Sequence, residues 1–128
     1  MKLYELLITS LVFISLDSVY LTLSKNYFKA QIQRVQGSPL EMNLAGLLLC
    51  YTFLVFGFHY FVIEKRMSLM DAFWLGILIY SVYEFTNYAL FKNWSLITVI
   101  MDTLWGGVLF VVAAFIITRV RQVLRNAI

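Results

Sequence analysis

Four long apolar runs fill the chain, near residues 4–24, 40–63, 69–91 and 95–118. Each predicts a helix long enough to cross a hydrocarbon core, which takes about 20 residues. Residues 25–39 form the one sizeable break, with Gln31, Gln33, Arg34, Gln36 and the turn-forming Gly37, Ser38 and Pro39. They predict a loop, although Tyr27, Phe28, Ile32 and Val35 also suit a short helix lying in the membrane interface. Glu64, Lys65 and Arg66 make one tight turn and Lys92, Asn93 and Trp94 another. Helices 2 and 3, and helices 3 and 4, are therefore expected to pack as antiparallel neighbours. Ser68, three residues before Asp71, reads as the cap of helix 3.

Three acids interrupt this pattern: Asp17, Glu84 and Asp102, each inside an apolar run and without a Lys or Arg beside it. An acid at mid-helix costs about 2.5–3.5 kcal/mol on the insertion scale. Intramembrane ionisable groups are functional by default, the plainer reading being hydrogen-bonded glue between helices. Asp17 and Glu84 each precede the end of their run by seven residues, and Asp102 follows the start of its run by seven. Helices 1 and 3 run one way and helix 4 the other, so all three acids sit about 10 Å inside the same face. Helical spacing groups Tyr80, Tyr83, Glu84 and Asn87 on helix 3, Asp102 and Trp105 on helix 4, and Asp17 with Tyr20 on helix 1. Asn43, at the start of helix 2, falls at the same end. Gly46, Gly57, Gly76 and Gly106 are small enough for close helix approach. Cys50 reads as core, Trp94 as an anchor at the membrane interface and His59 as a headgroup-level residue at the opposite end of helix 2.

Composition agrees with an all-α, polytopic membrane protein built as a single antiparallel bundle of four transmembrane helices over residues 1–128. Of the 128 residues 62% are apolar and only 13% charged, against about 25% charged in soluble proteins. Mean hydropathy is +0.82. Lys2 before an apolar run resembles a signal peptide, but no small-x-small site closes the run, which predicts a retained first helix. Basic residues lie at the span ends, which suits headgroups and argues against nucleic acid as a partner. The side of the termini carries Lys2, Lys65, Arg66, Arg119, Arg121 and Arg125; the other carries Lys25, Lys29, Arg34 and Lys92. This excess places the termini in the cytoplasm.

The chemistry follows from the missing counter-ion. Acids buried without a cation stay protonated, share protons or hold a bound cation, and they titrate as a set. Asp17, Glu84 and Asp102 are thus the candidate proton-exchanging or ligand-binding acids. Asn87, Tyr83, Trp105, Asn43 and Tyr80 are the candidate substrate contacts. No cofactor motif is evident, and oxygen ligands suit a hard cation such as Na⁺, Mg²⁺ or Ca²⁺ held by the three acids.

The order Leu16-Asp17-Ser18-Val19-Tyr20-Leu21, then Tyr83-Glu84-Phe85-Thr86-Asn87-Tyr88-Ala89-Leu90, Trp94 and Met101-Asp102-Thr103-Leu104-Trp105-Gly106 resembles the DUF2177 family of small predicted four-helix membrane proteins. The resemblance runs over nearly the whole chain and is most specific from Tyr83 to Gly106. The family pattern has Asp where this chain has Glu84 and Pro where it has Ser95. It implies the four-helix fold and the importance of the acids, and it supplies no reaction.

Three readings follow. In the first, the acids form a pocket open to one side and act on a lipid-soluble substrate by acid/base chemistry, as in an isomerase or hydratase. In the second, they couple a small transporter to protons or cations, working as a homodimer. In the third, the protein is noncatalytic and the acids specify membrane assembly. The near-absence of polar residues at 53–57, 76–79 and 109–117 argues against a continuous channel and for a one-sided pocket.

Overall fold

A computed structural model describes residues 2–127, and among them every regular element is a helix. Helix α1 spans Leu3–Gln36, α2 spans Leu44–Phe58, α3 spans Leu69–Leu90 and α4 spans Leu96–Ala127. A π-helical turn, His59–Glu64, prolongs α2. Helix α1, the segment Leu44–Glu64 and α4 are each long and apolar enough to cross a membrane. The 22 residues of α3 reach about 33 Å, also a membrane's thickness; Asp71, Glu84, Asn87 and three tyrosines interrupt its apolar run.

Two expected boundaries move. Residues 25–36 are not a loop but the continuation of α1, which ends only at Gly37. They contain neither Gly nor Pro, and Lys, Ala, Gln and Arg among them are good helix formers. Gly37 takes φ 75° and donates its N–H to the Gln33 carbonyl at 2.9 Å, the left-handed cap that glycine adopts without strain. At the other end of the chain α4 runs beyond residue 118 to Ala127. At 34 and 32 residues, α1 and α4 measure about 51 and 48 Å and outreach a hydrocarbon core of about 30 Å.

Helices α3 and α4 make the most intimate contact in the bundle, and glycines set its distance. A Cβ on Gly76 would strike the Gly106 carbonyl, one on Gly106 the Tyr80 ring, and one on Gly107 the Phe73 ring. Gly46 and Gly57 play no such part: no other helix comes within 4 Å of a Cβ built on either. Helix α2 leans on α1, and its π turn reaches α4, but α2 and α3 are not packed along their lengths. The expected contact between helices 2 and 3 is replaced by a gap. The centre of the core is an aromatic cluster from three helices. Phe13, Phe58 and Phe110, all fully buried, stand with ring centroids 5.0–5.8 Å apart.

Each end of the bundle is fastened by polar side chains. At one end fully buried Gln31 donates Nε2–H to the Asn93 carbonyl (2.8 Å), and its Oε1 accepts from the Thr98 hydroxyl (2.9 Å) and the Ser95 N–H (3.3 Å). The extension of α1 is thereby tied to the α3–α4 turn. At the other end the Arg121 fork donates to both oxygens of Glu5, at 3.2 Å each.

Candidate functional site

Asp17, Glu84 and Asp102 line one cavity of about 410 Å³, set in the gap between α2 and α3. All three are buried, Glu84 completely. Donors from neighbouring helices hold them. The Trp105 indole N–H donates to Asp17 Oδ1 at 2.9 Å, and the Tyr51 hydroxyl donates to Asp17 Oδ2. The Tyr20 hydroxyl donates to Asp102 Oδ1 at 3.1 Å. The Trp94 indole N–H donates to Glu84 Oε1 at 2.9 Å. Tyr20 and Trp105 stack with centroids 4.6 Å apart and planes within 5°, so the donors to Asp17 and Asp102 brace one another.

Two acceptors receive no donor from the chain, Asp102 Oδ2 and Glu84 Oε2. Glu84 Oε2 is buried and receives no donor. Asp102 lies within hydrogen-bonding reach of it, but two ionised carboxylates bring no hydrogen to share. A single proton between them completes the set, which makes the pair one titrating unit. A buried carboxylate oxygen left without a donor forfeits the free energy of its hydration. A proton or a ligand's donor on the pair would recover it.

The remaining walls are aromatic and aliphatic. Tyr20, Phe28, Tyr51, Tyr80, Tyr83 and Trp94 face the cavity together with Ile32, Leu47, Leu54 and Ile79, and no Lys, Arg or His does. Below it the Phe13–Phe58–Phe110 cluster, backed by buried Val55 and Leu109, closes the way through the bundle. The cavity thus joins three acids to mostly apolar and aromatic walls.

The structure joins most of the candidates read from the sequence. Tyr80 and Tyr83 line the cavity, and Trp105 reaches it through Asp17. Asn87 is half-buried one turn beyond Glu84 and is not part of the cavity wall. Asn43 does not join them: it is exposed and caps α2, accepting the Gly46 N–H at 3.0 Å. Its Oδ1 is spent on the free amides at the start of that helix. Cys50 is exposed at the cavity's rim instead of lying in the core.

Tyr51 and Trp94 were missed. Trp94, at the α3–α4 turn, looks like an interface anchor by its sequence neighbours, yet it is buried and folds back onto Glu84. The available signal was the turn itself, which returns the chain to within one long side chain of Glu84's depth. Tyr51 follows Cys50 on α2 and carried no signal beyond a hydroxyl in an apolar run.

A second polar cluster lies beyond the phenylalanines. His59, completely buried in the protein, pairs through Nδ1 with the Thr9 hydroxyl (2.7 Å) and through Nε2 with Glu64 Oε1 (3.0 Å). In an α-helix residues five apart point about 140° away from one another. The wider π turn turns Glu64 back toward His59, and such turns are frequent at functional sites. Glu5, His59 and Glu64 each offer one ligand atom within 4.8 Å of the others, the one such trio among the described residues. With the Arg121 fork already on Glu5, this trio has a compensating charge without a metal.

Comparison with known proteins gives one match. A family described as "Predicted membrane protein (DUF2177)" matches residues 2–118. No curated protein and no solved structure matches.

Proposed function

The chain belongs to the DUF2177 family of predicted membrane proteins, and from that premise we propose that its acidic cavity receives a lipid-soluble molecule and exchanges a proton with it. The observation that carries this reading is Glu84 Oε2, a buried carboxylate oxygen without a donor, beside Asp102 in a lined cavity. Acids that serve only as glue between helices would be expected to spend every oxygen on a neighbouring helix. Here Glu84 Oε2 and Asp102 Oδ2 are kept back, and both residues line a space of about 410 Å³, within the range of small-molecule sites.

In this reading the Glu84–Asp102 pair is the proton donor and acceptor, and Asp17 holds the floor of the pocket through Tyr51 and Trp105. Proton transfer by a positioned carboxyl contributes typically 10²–10⁴-fold to a reaction. The mouth between α2 and α3 faces the bilayer, so a substrate dissolved in lipid reaches the acids without crossing water. The apolar cluster under the site favours chemistry or binding at one side. Proton- or cation-coupled transport, the second reading, requires that cluster to open.

The test is genetic and chemical together. In a strain lacking the protein, lipid profiles are compared after complementation with the natural chain and with Asp17→Asn, Glu84→Gln and Asp102→Asn. Each variant is expected to reach the membrane at normal level and to lose at least tenfold in activity, read as restoration of the changed lipid species. Full rescue by all three variants overturns the proposal.

A further inference from the structure

Resting on that reading, we infer that the ligand is a lipophilic cation, an apolar body carrying one positive charge, taken up in exchange for the proton between Glu84 and Asp102. The cavity's charge inventory points one way. Three carboxyl groups line it and no Lys, Arg or His does, so an anionic ligand meets only like charge. Of the donors around it, the hydroxyls of Tyr20 and Tyr51 and the indole N–H groups of Trp94 and Trp105 already bond the acids, which leaves an anion the neutral hydroxyls of Tyr80 and Tyr83 and no cationic group. A neutral alcohol could give a hydrogen to Glu84 Oε2 but makes no use of the surrounding field.

The walls add a second preference. Tyr20, Phe28, Tyr51, Tyr80, Tyr83 and Trp94 surround the space, and the faces of aromatic rings attract cations, most strongly where water is excluded. A bare metal ion fits less well. Asp17, Glu84 and Asp102 are not among the residues whose ligand atoms converge within 4.8 Å; they ring a volume suited to an organic body. Charge stays balanced: one monovalent cation enters, one proton leaves to water, and no covalent bond changes. The titratable groups facing the pair are Asp17 and Tyr20 of α1, Cys50 and Tyr51 of α2, and Tyr80 and Tyr83 of α3.

The test compares ions of one shape and opposite charge. Full-length protein carrying Trp74→Phe is placed in phosphatidylcholine nanodiscs. Its remaining tryptophans, Trp94 and Trp105, then report on the site. Tetraphenylphosphonium, tetraphenylborate and neutral triphenylphosphine oxide are titrated, with empty nanodiscs as the blank. The phosphonium is expected to quench saturably and at least tenfold more tightly than either other probe. Its affinity should rise with pH, by up to about tenfold per unit where the pair titrates, with close to one proton released per cation in weak buffer. Glu84→Gln should weaken it at least tenfold.

Equal binding of the neutral probe or the borate, lost in Glu84→Gln, overturns the cation assignment and leaves the proton-exchanging pocket standing. Phosphonium binding that ignores pH and Glu84→Gln overturns the exchange. Saturable binding by none of the three overturns both the cation and the pocket.

Discussion

At Trp94 a single indole N–H is the one donor that reaches Glu84, a fully buried acid. Replacing it by Phe keeps the ring's bulk and deletes the hydrogen bond, stranding both carboxylate oxygens. The expected cost is about 1–3 kcal/mol, read as a lower unfolding midpoint in detergent, and Trp94→Phe combined with Glu84→Leu should recover part of it. No recovery in the double variant would mean that Trp94 acts by packing alone. Asp17 is better supplied, with donors from Trp105 and Tyr51. The three acids were visible in the sequence because charge in an apolar run stands out residue by residue. Of their donors, Tyr20 and Trp105 share helical faces with the acids and were legible too; Tyr51 and Trp94 were not, since tyrosine and tryptophan are expected at both membrane interfaces and in cores.

Among the elements, the α3–α4 pair is the rigid half of the molecule and α2 the half that leaves room. Gly76→Val puts methyl groups where the Gly106 carbonyl lies, so the helices must separate. Overpacking of this kind costs about 1–3 kcal/mol. It should also shift Tyr80 and reduce probe binding, whereas Gly57→Val, with nothing within 4 Å, should change neither. Thermal unfolding in detergent and probe titration on both variants measure this. Small residues at 46, 57, 76 and 106 look alike in the sequence; only the partner helix distinguishes spacers from bystanders. The π turn escaped notice for a similar reason. Nothing in the order His59 to Glu64 departs from an α pattern, and the turn is stabilised by contacts to Thr9 on another helix.

For the whole molecule, the polar ties at the two ends hold the bundle while its middle stays open on one side. Gln31→Met removes the tie at one end, leaving the Asn93 carbonyl and the Ser95 N–H without their partner. A loss of about 2–3 kcal/mol is expected, with earlier proteolysis of residues 25–36 as the local readout. Unchanged protease resistance would show that α1 keeps its extension without the tie. The polar residues of this segment suggest a loop; it is helical because it holds good helix formers without Gly or Pro and is tied to the α3–α4 turn. The sequence by itself determined that the protein is a helical membrane bundle, and that its three acids fall toward one end of it, because the cost of charge in hydrocarbon and the 1.5 Å rise per residue act locally. Tertiary structure alone decided that α2 stands off α3, that aromatic donors reach four of the six oxygens of the three acids, and that a cavity results. Those outcomes depend on which faces meet, and packing between helices in lipid is settled by shape, where apolar side chains are equivalent by hydropathy.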